Sequence, residues 1–199
     1  TVTLGTNGII TYTATSGYTG IDQFTYRISD GVRTAEATVV IGVDAPVGDE
    51  HIGGAGIDIL FGGNGSDYLN GGSGADLLFG GNGADYLFGG DGSDLLSGGN
   101  GADVMYGQNG SDLLIGGNGN DFLAGGAGNG LMTGGNGADT FLFRAGDGTD
   151  IIADYSTSQG DRIQIDMSGI DDFDDLMAAA QQQNGGVLFA FANGDELFL

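Results

Sequence analysis

Nine aspartates recur on a fixed interval: Asp58, Asp67, Asp76, Asp85, Asp94, Asp103, Asp112, Asp121 and, after one omission, Asp139. Each is the sixth residue of a glycine-rich nonapeptide, as in "GGNGADYLF" from Gly80 to Phe88. A carboxylate is a hard oxygen ligand, and glycine leaves neighbouring backbone carbonyls open to approach. The chemistry that this combination offers is coordination of a hard cation. Other chemistries lack their residues. The chain has no Cys and one His, so thiolate and imidazole zinc sites have no donors in the repeats. No G-x-S-x-G elbow, H-E-x-x-H or P-loop is present. His51, the single histidine, falls in an acidic, Pro-containing stretch with no partner constellation and reads as a solvated linker residue. Catalysis is not expected.

The elements that would position the aspartates follow from the period. Ten nonapeptides run without a gap from Gly53 to Leu142, with an apolar Leu, Met or Phe always at position 8. Positions 7 to 9 suit a very short strand, and the preceding "GGxGxD" suits a turn through residues that tolerate positive φ. Two strands and two turns, one pair of nonapeptides, return the chain to its starting side. Coils then stack about 4.8 Å apart, with position 8 inward from both sheets. The expected fold is all-β: a parallel β-roll of five coils. The aspartates fall into two columns, Asp58, Asp76, Asp94 and Asp112 in one, and Asp67, Asp85, Asp103, Asp121 and Asp139 in the other. Neighbouring carboxylates one strand spacing apart repel by about 3.5 kcal/mol at an effective dielectric near 20. Cations between them must complete the fold. Calcium suits a flexible cage of six or more oxygens better than magnesium, which keeps its waters.

The phrase G-G-x-G-x-D-x-U-x, ten times in register, resembles the RTX or hemolysin-type calcium-binding repeat. The resemblance implies an ion between each turn and the turn two repeats on, held by both aspartates and by carbonyls 2 and 4 of one turn and 1 and 3 of the other. The first site would take the carbonyls of Gly54, Gly56, Gly71 and Ser73. The first site of the second column would take those of Gly63, Gly65, Gly80 and Asn82. Repeat nine carries Gly130 where Asp belongs, so its site should be weak or empty. Seven complete aspartate pairs remain, and seven to nine Ca²⁺ are expected in all. Asp91, at position 3 of its repeat, is a candidate extra ligand or a turn residue facing water.

Residues 1–45 alternate polar and apolar in "GIITYTAT", "DQFTYRIS" and "AEATVVIGV", broken by "TNG" and "SDG", and read as three or four antiparallel strands. "DQFTYRISDG" resembles a phrase of cadherin-like or immunoglobulin-like repeats in bacterial surface proteins. The resemblance implies part of a β-sandwich whose missing strands lie upstream. Residues 46–52 read as a linker, 53–142 as the roll and 143–199 as a flanking cap. In the cap, "FRAGDGTDIIADYSTSQGDRIQI" resembles the region after RTX repeats, with Asp150, Asp154 and Asp161 either binding one more ion or shaping turns. "DDFDDLMAAAQQQ" (171–183) predicts a short helix, and "GGVLFAFANGDELFL" a hairpin turning at Asn193–Gly194. Outward aromatics, Tyr68, Tyr86 and Phe122 in one column and Phe61 with Phe79 in another, stack across strands or form a docking face for another protein, a surface ligand or a second copy.

A net charge of −23 makes nucleic acid a poor partner and cations good ones. No apolar run is long enough for a membrane-spanning helix. The resemblance implies a non-catalytic calcium-binding module of a secreted bacterial surface protein or adhesin, cell-surface associated, folding on extracellular calcium after type I secretion. Alternatives are the secretion domain of an RTX exoenzyme or toxin, with its catalytic part upstream, or a self-assembling surface-layer component.

Overall fold

A computed structural model describes residues 1–5, 9–16, 18, 20–43, 48–170, 173–183 and 186–199. The N-terminal strands are β1 (Val2–Leu4), β2 (Ile10–Tyr12), β3 (Gly20–Ser29) and β4 (Thr34–Val43). The β3–β4 turn forms where "SDG" predicts it, with Asp30 Oδ1 accepting the amides of Val32 and Arg33. The "TNG" turn and residues 44–47 of the linker region lie outside the described residues. Strands β5 (Glu50–Ala55), β6 (Ile57–Asn64), β7 (Tyr68–Ser73), β8 (Leu77–Asn82), β9 (Tyr86–Asp91) and β10 (Leu95–Asn100) follow. Then come β11 (Val104–Gly110), β12 (Leu113–Asn118), β13 (Phe122–Gly128), β14 (Leu131–Asn136), β15 (Thr140–Arg144), β16 (Thr149–Ile152) and β17 (Arg162–Asp166). The cap comprises α1 (Phe173–Ala179), β18 (Ala180–Gln183), β19 (Gly186–Ala190) and β20 (Glu196–Phe198).

The even strands from β4 to β16 form one parallel stack, and the odd strands from β5 to β17 form the facing sheet. Each stack holds seven parallel strands, so the roll has about seven turns rather than the five expected. The extra turns stand at the two ends, where the period is stretched except at β5, which keeps the 18-residue offset to β7. Within the repeats, turns meet at a separation of 18 residues, as where Asp58 meets Asp76. At the ends, Thr38 meets Asp58 and Gly130 meets Asp150 at a separation of 20 residues. Asp139 meets Asp161 at a separation of 22 residues. The strands there stay in register, with Val40 beside Leu60, Leu131 beside Ile151 and Thr140 beside Arg162. Strands are also longer than expected. They run through positions 7 to 9 and on through the first three residues of the next repeat, so only positions 4 to 6 turn.

Position 8 is the core. Leu60, Leu69, Leu78, Leu87, Leu96, Met105, Leu114, Leu123, Met132 and Phe141 are all buried, forming one column per sheet. Val40 and Ile152 continue it in the added turns. His51 occupies the same position, paired with Leu69, and is 1% exposed. It is a core residue, not the solvated linker residue expected, because Glu50–Ala55 already belongs to the roll.

Outside, rings stack across the strands, but the second column differs from the one expected, because Tyr68 stacks diagonally on Phe88 and not on its register partner Tyr86. Phe61 and Phe79 are parallel with centroids 5.0 Å apart, and Tyr68, Phe88, Tyr106 and Phe122 form a ladder spaced 5.2 to 5.8 Å. β4 pairs antiparallel with β3 on one side and parallel with β6 on the other, which makes β3 and β4 continuous with the roll, while β1 and β2 pair in a separate antiparallel sheet. At the far end β20 pairs parallel with β16, and β18, β19 and β20 form an antiparallel extension. The predicted helix is shorter than 171–183: "AQQQ" leaves it as β18 to pair with β19, and Asp171 and Asp172 lie outside the described residues. Among the described residues no helix is long and apolar enough to cross a membrane.

Candidate metal centre

Position 6 closes the turn, two residues before the core position, and its side chain is turned inward beside the core. All nine repeat aspartates are accordingly buried, none more than 3% exposed. Each column is tied by one repeated bond: the backbone amide of an aspartate donates to Oδ1 of the next aspartate in its column. Asp58 donates to Asp76 at 2.8 Å, Asp76 to Asp94 at 2.8 Å, and Asp94 to Asp112 at 2.9 Å. In the second column the same bond joins Asp67 to Asp85, Asp85 to Asp103, Asp103 to Asp121 and Asp121 to Asp139.

The other oxygen has nothing. Oδ2 of all nine is buried without a hydrogen-bond partner. A carboxylate oxygen in that state costs several kcal/mol unless it is paired or neutralised. Burial pushes Asp76, Asp85 and Asp121 up to about 6 and Asp103 to about 7, with neighbouring aspartates adding to the rise.

The glycines shape the space around Oδ2. A Cβ at Gly53 would lie 2.5 Å from Asp58 Oδ2 and would also strike the Gly71 carbonyl, so both oxygens face the same small region. The pattern repeats at Gly71 with Asp76 and the Gly89 carbonyl. Position 3 is differently committed, since the Ser73 carbonyl accepts the Gly56 amide at 2.7 Å and that of Asn82 accepts Gly65 at 2.9 Å. Gly54, Gly63 and Gly80 lie in the later halves of β5, β6 and β8, and Gly56 and Gly65 in the turns that follow β5 and β6. Asp91 is exposed, and its Oδ1 accepts the side-chain amide of Asn109.

An unpaired, desolvated anion beside backbone carbonyls, with no thiolate in the chain and no imidazole in the repeats, fits a hard divalent cation, and His51 approaches the columns only at Asp49 and Asp67. The orphaned Oδ2 atoms carry that fit. Among the described residues no three or more His, Cys, Asp or Glu side chains converge, and the other protein oxygens facing Oδ2 are backbone carbonyls such as that of Gly71.

The columns extend beyond the repeats. The Gly130 amide donates to Asp150 Oδ1 at 2.7 Å, which places Asp150 next in the first column. Asp150 is fully buried with an unpartnered Oδ2, and burial pushes it up to about 7, aided by Asp147, Asp112 and Asp195. Asp139 donates to Asp161 Oδ1 at 3.0 Å, extending the second column, but Asp161 Oδ2 accepts the Ser156 amide. Asp154 stands apart, with its two oxygens on the amides of Gly134 and Gly135. Asp49, which sequence reasoning passed over, donates to Asp67 Oδ1 at 2.7 Å and opens the second column. The signal was present as the same two-repeat offset, hidden in a stretch without the glycines.

Comparison with known proteins bears on these residues directly. The family model for the RTX calcium-binding nonapeptide repeat matches four times, over residues 52–87, 79–114, 106–141 and 115–152. That for a bacterial Ig domain matches residues 1–42. No curated protein sequence matches. Among solved structures, the extracellular lipase LipA from Serratia marcescens is similar at a TM-score of 0.45 and 19% identity over 80% of this chain. The chain spans 37% of that lipase's length.

Proposed function

The chain belongs to the RTX calcium-binding nonapeptide repeat family, and on that footing we propose that it is a non-catalytic folding module near the C-terminus of a secreted bacterial surface protein or adhesin. Calcium supplies the positive charge that the two carboxylate columns lack. The observation that carries the reading is the row of buried, unpartnered Oδ2 atoms. The residues' own roles follow from it. Each repeat aspartate presents Oδ2 to the turn while Oδ1 holds the preceding turn's amide, so ligation and stacking are joined in one side chain. The first-column site would use Asp58 and Asp76 with the carbonyls of Gly54, Gly56, Gly71 and Ser73, and the others follow by translation. Asp67 with Asp85 would use those of Gly63, Gly65, Gly80 and Asn82.

The pairing supports up to eight aspartate pairs, three in the first column and five from Asp67 to Asp161 in the second. Export before folding fits such a chain, because a calcium-poor cytosol withholds the ion and the outside supplies it. The bacterial Ig match over residues 1–42 supports the surface-protein reading over a lone secretion signal. The test is circular dichroism of the chain in EGTA and after addition of millimolar Ca²⁺. The expected result is a coil-like spectrum in the chelator and β structure on addition. Spectra and melting indifferent to calcium would sink the proposal.

A further inference from the structure

The roll's first turn contains an aspartate with the geometry of a repeat and none of a repeat's sequence. Asp49 lies before the first matched residue, in "DAPVGDEHI", where the G-G-x-G motif is missing. Its amide nevertheless donates to Asp67 Oδ1 at 2.7 Å, as the Asp67 amide does to Asp85 at 2.8 Å. Its carbonyl accepts the Tyr68 amide at 2.7 Å, as the Asp67 carbonyl accepts Tyr86 at 2.8 Å. Its Oδ2 is buried and without a partner, and so is that of Asp67, which is 1% exposed. Two unpartnered carboxylate oxygens are therefore stacked at the junction where the N-terminal strands pass into the roll.

We propose that Asp49 and Asp67 hold a further hard divalent cation, of the calcium class, and that this site fastens β5 to the roll. The carbonyls of Gly62 and Asn64 stand to Asp67 as Gly71 and Ser73 stand to Asp76, and would complete the later half of the cage. Among the described residues β5 is the edge strand of its sheet, held laterally by β7, so it has the most to gain from such an ion. The site makes the junction between the Ig-like strands and the repeats dependent on the same cation as the repeats themselves.

The inference rests on the reading that paired aspartates bind calcium, and two variants separate the two claims. Calcium is counted by native mass spectrometry on the full chain at saturating Ca²⁺, and amide exchange is followed along β5. Asp49→Ala should bind one ion fewer than the unaltered chain and lose protection across Glu50–Ala55, with β9 to β14 unchanged. Since the Asp49 amide, not its side chain, makes the bond to Asp67, the substitution leaves that bond in place. Glu50→Gln, at an exposed neighbour, should bind the full number. Asp94→Ala should lose up to two ions. If Asp94→Ala lowers the count and Asp49→Ala changes neither count nor β5 exchange, the junction site is wrong and the general reading stands. If no variant changes the count because the chain binds no calcium, both fall.

Discussion

His51 brings two ring nitrogens into a column otherwise built of Leu, Met and Phe, and neither nitrogen has a partner. Burial lowers its pKa, against the pull of Asp49 and Asp67, and so favours the neutral ring. An unsatisfied buried polar group costs about 1–3 kcal/mol, so His51→Leu should stabilise the calcium-loaded chain by that order in thermal melting. Gln108 is the second residue-scale departure: it is the one non-glycine residue described with positive φ, at 78°. Left-handed backbone costs a side-chain-bearing residue about 1 kcal/mol, and Gln108→Gly should recover a gain of that order in denaturant melts. The reverse experiment is harsher. Gly92 combines φ of 148° with a backbone carbonyl, that of Gly74, where a Cβ would go, so Gly92→Ala should break the roll locally and lower the calcium count. The carboxylates themselves predict a pH response. Asp titrates near 4 in an unfolded chain, whereas Asp76, Asp85 and Asp121 stand at about 6 and Asp103 at about 7 in the fold. Between about pH 4 and 7 the metal-free fold binds the more protons, so its stability is greatest below 4 and falls as pH rises through 7. A calcium-stripped chain taken from pH 8 to 5 should gain β signal in circular dichroism. With calcium the slope reverses, because the ligands must be ionised to bind.

At the scale of the turn, the gap at Gly130 is the most informative feature. A Cβ there would sit 2.8 Å from Asp150 Oδ1, a side-chain tip that can move, so Gly130→Asp is sterically accessible. The new carboxylate would stand between Asp112 and Asp150 and complete the column. Melting should rise at limiting calcium, since a ligand bound only by the fold stabilises it, and should drop in chelator, where the added charge only repels. Equal melting in both conditions would contradict the stacking of the columns. Gly130 also shows what the sequence could and could not disclose. The uninterrupted nonapeptide spacing made the two aspartate columns and the apolar core readable without coordinates. The turn after repeat ten was not read as one, although "AGDGTDIIA" keeps glycine at positions 2 and 4, Asp150 at 6 and Ile152 at 8. Phe143 and Arg144 intervene and stretch the offset from 18 to 20 residues, which a search for a fixed period passes over. The β4 half of the first turn was hidden for the same reason, since Val40 aligns with Leu60 across an equally stretched interval, whereas β5 keeps the 18-residue offset and lacks only the glycines before it. Position 6 there is Thr38, whose amide still donates to Asp58 Oδ1 at 3.2 Å. The "AQQQ" segment was misread because its helical propensity is local, whereas its pairing with β19 is decided by the cap.

Across the whole molecule, one strand direction governs behaviour. The Ig-like strands continue from β4 at one end of the eleven-stranded sheet, and the cap closes the other at β20. Every inter-turn hydrogen bond of the roll consequently runs along the line between the two flanking segments. A chain tethered at one end and pulled at the other would load those bonds lengthwise, opening them one after another like a zipper instead of shearing a whole strand at once. Each released turn, a pair of nonapeptides, would add about 55 Å of extension, from roughly 3.4 Å per residue less one strand spacing. Force spectroscopy in calcium should record a ladder of such steps, and a longer plateau wherever a paired-aspartate site must let go of its ion. A module built this way yields gradually under tension and rewinds when slack returns. It would act as a shock absorber whose stiffness is set by the calcium around it.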